Sequence, residues 1–137
     1  MSLNRVIQGG RVIDPASGMD SIQDIYLSDP IIVGIGRAPD GFEANAPPVD
    51  ARGKLVMPGI VDLAARMREP GEEHKATIQS ESRAAAASGI TTVCLHPDTN
   101  PIIGSPAEVE LLRRKAKQAG HTWIVPIGAL TNELDGE

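Results

Sequence analysis

The first 56 residues alternate short apolar runs with glycine, proline and aspartate, a pattern typical of β-hairpins. Turns are predicted at Gly9-Gly10 and at Ser28-Asp29-Pro30, and two runs around Gly53 are interpreted as a last strand pair. The predicted strands are Arg5–Ile7, Arg11–Ile13, Ser21–Leu27, Ile31–Ile35, Val49–Ala51 and Leu55–Met57. We expect residues 1–56 to form a small N-terminal β unit with too few large apolar side chains to be stable alone.

From residue 57 onward, strand-like and helix-like segments alternate. Strands are predicted at Gly59–Leu63, Ile90–Leu95 and Trp123–Ile127, and helices at 74–88 and 105–120. This order produces a parallel sheet, which belongs to a doubly wound fold or to a (β/α)8 barrel. The first strand is not followed by the glycine-rich turn of a dinucleotide-binding fold. We therefore predict that residues 57–137 are the N-terminal portion of a (β/α)8 TIM-type α/β barrel, incomplete in this chain.

The second predicted helix has the clearest boundaries in the chain. Ser105 is a predicted N-cap, Pro106 takes the first helical position, Glu108 completes a capping box, and Gly120 ends the helix. Its last turns carry a basic run, interpreted as a solvated face that complements the helix dipole, with a phosphate site as the alternative. The run consists of Arg113, Arg114, Lys115 and Lys117.

Composition excludes several classes of function. The chain has 18 acidic and 13 basic residues, a net charge of −5, and one each of Trp, Tyr and Phe. Neither a polyanion-binding surface nor a base-stacking platform is expected, so we predict no nucleic-acid partner. No apolar run reaches the roughly 18 residues of a membrane helix, and the polar start does not look like a signal peptide. The single Cys94 cannot form an internal disulfide, so a cytoplasmic protein is expected.

Short motifs around the first predicted barrel strand resemble those of a known family. They are Val56–Leu63, the element Met67–Gly71 that contains Arg-Glu-Pro-Gly, Thr91–Val93 and Gly128–Thr131. They resemble the dihydroorotases, cyclic-amide hydrolases of the amidohydrolase superfamily that act in pyrimidine biosynthesis. The resemblance covers essentially the whole chain, and the Arg-Glu-Pro-Gly element favours dihydroorotases over hydantoinases and allantoinases.

The chain departs from that family pattern where metal ligands are expected. The resemblance implies a His-x-His pair, two ligands of the family's zinc, directly after Asp62-Leu63, but this chain has Ala64 and Arg66. A methyl group has no donor atom, and a guanidinium is a permanent cation. We therefore predict no metal, no cofactor and no catalytic residue in this chain. We also expect Arg66 to fill the position of the metal and to pair with acidic residues there.

Two positions correspond to the family's substrate contacts. Arg68 matches the arginine that binds the substrate carboxylate in the family, and the resemblance implies the same role here. Asp98 replaces the asparagine of the family's Met-Pro-Asn-Thr loop, where a carboxylate would repel an anionic dihydroorotate and could pair with Arg68. The predicted substrate-binding residues are therefore Arg68 and Asp98.

The remaining potential metal ligands do not have the spacing of a site. His74, His96 and His121 are separated by 22 and 25 residues. His96 ends the second barrel strand and is expected to point toward the barrel mouth. His74 is interpreted as a surface residue at a helix start, and His121 as a residue at the opposite end of the sheet. Cys94, inside an apolar strand, is interpreted as part of the core and not as a nucleophile.

Three functional hypotheses follow. The first is a catalytically inactive dihydroorotase-like pseudoenzyme that acts as a structural partner of aspartate transcarbamoylase in an oligomeric assembly, as the resemblance implies for metal-deficient homologues. The second is an active cyclic-amide hydrolase with a rearranged metal site that uses His96. The third is a truncated fragment without independent function, because a full barrel needs eight strands and about 250 residues.

Overall fold

The computed structural model describes residues 2–136, and the chain forms two compact units, Met1–Pro58 and Gly59–Glu137. The first unit is a five-stranded sheet of order β3-β2-β1-β4, in which β5 also pairs with β1. Its strands are β1 (Asn4–Asp14), β2 (Met19–Ser28), β3 (Ile31–Ile35), β4 (Val49–Asp50) and β5 (Leu55–Val56). β1, β2 and β3 pair antiparallel in chain order, as the hairpin pattern predicts.

The predicted turn at Gly9-Gly10 is wrong, because β1 continues through both glycines. The register of β1 against β2 shifts between Ile7 and Gly10, which indicates a β-bulge. Gly9 has φ +68°, a left-handed conformation that glycine adopts without steric cost. Its N–H donates to the Asp24 carboxylate at 2.8 Å. The glycines therefore bend one long strand instead of reversing the chain.

The predicted pairing of the two runs around Gly53 is also wrong. β4 and β5 do not pair with each other, since each pairs in parallel with a different part of β1. Between them the chain makes a tight turn in which the Lys54 N–H donates to the Ala51 carbonyl at 2.9 Å. After this turn the chain continues in the same direction, so β5 pairs with a later part of β1 than β4 does.

The second unit confirms the predicted β-α-β-α-β order. Its elements are β6 (Ile60–Ala65), α1 (Ile78–Ala87), β7 (Ile90–Leu95), α2 (Pro106–Ala119) and β8 (Trp123–Pro126). The three strands form a parallel sheet of order β6-β7-β8. Within residues 2–136 this sheet is open and does not close into a barrel.

Both helices begin at capping boxes. α1 starts at residue 78 and not at 74, because the Thr77 hydroxyl accepts the Ser80 N–H at 3.1 Å and fixes the N-cap there. α2 confirms its predicted boundaries: the Ser105 N–H donates to the Glu108 carboxylate at 2.7 Å, and Gly120 ends the helix at φ +66°. Among residues 2–136, no helix is long and apolar enough to cross a membrane.

The core of the second unit lies between the sheet and the two helices. Its buried side chains are Met67, Ile78, Val93, Leu95, Ile103, Leu112, Ala116 and Ile124. Met67 and Ile103 come from the loops after β6 and β7 and are not evident from strand or helix periodicity. Cys94 is only partly buried, because its side chain alternates with the buried Val93 and Leu95 along β7.

Candidate functional site

The predicted site lies at the C-terminal edge of the parallel sheet, where the loops after β6, β7 and β8 begin. The strand ends are aligned there. The His96 N–H donates to the Ala65 carbonyl at 3.1 Å, and the Ile127 N–H donates to the Leu95 carbonyl at 2.9 Å. In α/β folds, side chains at this edge are the ones that reach bound ligands. The geometry therefore places the loop of Arg66 and Arg68 beside the loop of Asp98.

At the end of β6, an ion pair lies where the resemblance implies a metal ligand. Arg66 donates from Nε to Asp98 Oδ2 at 2.6 Å, which confirms that Arg66 pairs with an acidic residue. This hydrogen bond lowers the pKa of Asp98 below its ordinary value. Both side chains remain substantially exposed. Ala64 is also exposed, and its N–H donates to the Asp62 carboxylate at 2.9 Å.

Arg68 does not pair with Asp98, contrary to the suggestion from the sequence. Its guanidinium lies 3.4 Å from Glu72 Oε2, a long contact, while Arg66 takes the Asp98 carboxylate. Arg68 has φ +60°, a left-handed conformation that costs free energy in a residue with a Cβ. Lys75 also donates to Glu72, and this hydrogen bond is the main cause of the lowered pKa of Glu72.

Glu69, which the sequence shows only as part of the Arg-Glu-Pro-Gly motif, connects this loop to both helices. Its side chain is 13% exposed, so both carboxylate oxygens need partners. Oε2 accepts the Ile78 N–H at 2.7 Å at the start of α1, and Oε1 accepts Lys115 Nζ from α2 at 2.5 Å. The interpretation of the basic run as a solvated face is therefore wrong for Lys115. No sequence signal pairs two residues 46 positions apart.

The loops after β6 and β7 are held against each other by backbone contacts. The Asn100 N–H donates to the Pro70 carbonyl at 3.0 Å. Gly71 has φ +103°, and a Cβ at that position would lie 2.4 Å from the Asn100 carbonyl oxygen. Only glycine permits this approach. The Arg-Glu-Pro-Gly element is therefore packed tightly against the loop that follows β7.

The residues at this edge do not fit the zinc ion that the family resemblance implies. Ala64 offers a methyl group, and Arg66 is a cation engaged by Asp98. No group of three or more His, Cys, Asp or Glu side chains with metal-binding geometry occurs among residues 2–136. The three histidines are not grouped there: His96 directly follows β7, His74 is exposed in the loop before α1, and His121 is exposed at the opposite end of β8.

Comparisons with known proteins agree on a family. A family model described as dihydro-orotase-like matches residues 53–137. A "Dihydroorotase-like protein" of Pseudomonas aeruginosa is 46% identical over 131 residues, which are 96% of this chain and 31% of that protein. A "Dihydroorotase" of Syntrophotalea carbinolica is 42% identical over 132 residues, again 96% of this chain and 31% of that protein. The chain thus spans about a third of the length of the curated relatives it matches.

Solved structures show the same fold. L-hydantoinase (dihydropyrimidinase) from Arthrobacter aurescens superposes with a TM-score of 0.80 at 25% identity, over 94% of this chain and 28% of that one. The shared part is a mixed β sheet followed by parallel β-α units.

Proposed function

Because this chain belongs to the dihydroorotase-like family of the amidohydrolase superfamily, we propose that it is part of a catalytically inactive dihydroorotase-like protein of pyrimidine biosynthesis. The observation that carries the proposal is the end of β6, where Ala64 and the ion-paired Arg66 replace side chains able to bind a metal. Arg68 remains as the side chain for a substrate carboxylate. Asp98 takes the place of the asparagine that contacts the substrate in the family, and it alters the substrate-binding side of the site.

Electrostatics supports the loss of metal chemistry. A hydrolytic zinc needs about three protein ligands and an open position for water. A guanidinium about 4 Å from a dication, at an effective dielectric constant near 20, adds about 8 kcal/mol of repulsion. Freeing Arg66 from the site would in addition break its 2.6 Å contact with Asp98. The local charge therefore disfavours a metal ion at this strand end.

The proposed role is structural: the full-length protein would bind aspartate transcarbamoylase and form an oligomeric assembly with it. This part of the proposal rests on what the family resemblance implies for metal-deficient homologues. It is tested by expressing the full-length protein with a tag and asking whether aspartate transcarbamoylase co-purifies in fixed stoichiometry. Two proteins that migrate separately at micromolar concentration in gel filtration would contradict the proposed partnership.

The loss of catalysis is tested by metal analysis and by dihydroorotate turnover of the purified full-length protein. We expect less than stoichiometric zinc and no turnover. The double variant Ala64→His/Arg66→His is the matched control, because it supplies two imidazoles at the same strand end and should bind more zinc than the parent. Stoichiometric zinc in the parent together with turnover would overturn the proposal.

A second candidate, an active hydrolase with a rearranged site, is favoured by the position of His96. This histidine follows β7, and its N–H is hydrogen-bonded to the Ala65 carbonyl at 3.1 Å, so it is at the same edge as Arg66. If the parent shows turnover, the His96→Ala variant decides between the candidates. Loss of activity in that variant would support the rearranged site.

A further inference from the structure

The Glu69 carboxylate links the loop that carries Arg68 to both helices of the second unit. It is largely buried, and it binds the first N–H of α1 at 2.7 Å and Lys115 of α2 at 2.5 Å. An anion at a helix N-terminus is favoured by the helix dipole and by the unpaired N–H groups there. Each oxygen is therefore engaged by a donor from a different helix, and the side chain is held between α1 and α2.

Arg68 is strained, and the strain needs an anchor. A left-handed conformation in a non-glycine residue persists only when neighbouring contacts determine it, and such residues cluster at functional sites. The side-chain contact of Arg68 with Glu72 is long at 3.4 Å, and the Arg68 side chain is 39% exposed. The Arg68 carbonyl accepts the Glu72 N–H at 2.8 Å, which closes a turn. The contacts that hold this turn to other elements come from the next two residues: the Glu69 carboxylate accepts the Ile78 N–H, and the Pro70 carbonyl accepts the Asn100 N–H.

From this arrangement we infer that Glu69, held by Lys115, is the positioning residue that orients Arg68 toward a carboxylate ligand. The inference rests on the proposed role of Arg68 in binding a substrate carboxylate. Glu69 acts through the backbone: it fixes the peptide that directly follows Arg68 to both helices. Without this anchor the left-handed conformation would relax, and the guanidinium would no longer point in one direction.

Two substitutions test the inference in the full-length protein. Glu69→Gln keeps the shape and an oxygen for the Ile78 N–H but removes the charge that binds Lys115. Lys115→Gln leaves the helix cap of Glu69 intact, so it carries the test if the first variant does not fold. Matched controls are Glu110→Gln and Lys117→Gln, exposed residues of α2 without an ion pair among residues 2–136.

The first readout is the Nε–Hε NMR signal of Arg68 in protein labelled with 15N-arginine, assigned with Arg68→Gln. We expect this signal to shift or broaden in both test variants and to stay unchanged in both controls. The second readout is the affinity for L-dihydroorotate by calorimetry. We expect about a tenfold loss in Glu69→Gln, the size of losing one charge-assisted hydrogen bond.

The outcomes separate the inference from the proposed function. If the parent and Arg68→Gln both fail to bind dihydroorotate, the proposed ligand role of Arg68 is wrong, and the NMR signal alone decides the role of Glu69. If the parent binds but Lys115→Gln and Glu69→Gln retain full affinity and an unchanged Arg68 signal, the positioning role is wrong. A loss of thermal stability with an unchanged Arg68 signal would likewise reduce Glu69 to a structural residue.

Discussion

Ile103 provides the sharpest test of how the candidate site is held in place. Its side chain is fully buried although it belongs to the loop after β7, the loop that carries Asp98. Its backbone N–H donates to the Pro97 carbonyl at 3.1 Å, and its carbonyl accepts the Ala129 N–H at 2.7 Å. The Ile103 backbone therefore closes the loop onto Pro97 and joins it to the segment after β8, while the side chain is buried in the core.

Ile103→Ala should destabilise the protein substantially. The substitution removes three carbons, and at ~0.8 kcal/mol for each the lost burial is about 2.4 kcal/mol. The cavity that remains raises the cost, so we expect the free energy of unfolding to fall by about 3–4 kcal/mol. Ile103→Val removes one carbon and should cost about 1 kcal/mol. Urea denaturation followed by circular dichroism measures both values.

Leu130→Ala is the control, because Leu130 is 98% exposed and its truncation should change the free energy of unfolding by less than about 0.5 kcal/mol. If Ile103→Ala costs no more than this control, the loop is not anchored by its apolar side chain. The graded series matters as well. Equal losses for the valine and alanine variants would show that the cost does not come from buried volume.

Three further predictions concern the same edge of the sheet. Gly71→Ala should lower the free energy of unfolding by about 2–4 kcal/mol, because its Cβ would meet the Asn100 backbone at a positive φ. Gly104→Ala is the urea-denaturation control, because a Cβ there would come no closer than 4.0 Å to a neighbouring atom, the Ile102 carbonyl oxygen. Asp98→Asn should cost about 0.5 kcal/mol at pH 7, since the pair with Arg66 is partly exposed. Ser105→Ala should lower the melting temperature by removing a helix cap worth about 1 kcal/mol.

The Asp98 prediction has a defined pH dependence. Arg66 lowers the pKa of Asp98 in the folded state, so the pair stabilises the fold above the unfolded-state pKa. That stability is lost as the pH falls through the folded-state pKa of Asp98. The difference between parent and Asp98→Asn should therefore shrink in acid titrations of the unfolding free energy. A difference that stays constant down to about pH 2 would contradict this assignment.

Local patterns determined much of the second unit. Apolar runs of β-branched residues predicted β7 without error, and the capping box at Ser105 with Gly120 predicted α2, because caps and periodicity depend on neighbouring residues only. The same local reading failed at Gly9-Gly10, where a glycine pair serves a bulge as well as a turn. Whether a bulge or a turn forms depends on whether the partner strand continues beyond the glycine pair.

For the candidate site, too, some features follow from the sequence alone and others only from the tertiary structure. The sequence by itself showed that Ala64 and Arg66 lack metal donors, since this is a property of the side chains alone. Only the tertiary structure decided that Asp98 pairs with Arg66 and not with Arg68, and that Glu69 binds Lys115. These pairs join residues 32 and 46 positions apart, and their partners are selected by how parallel strands and helices bring loops together. No local pattern encodes that proximity, because it is created when the sheet and helices pack.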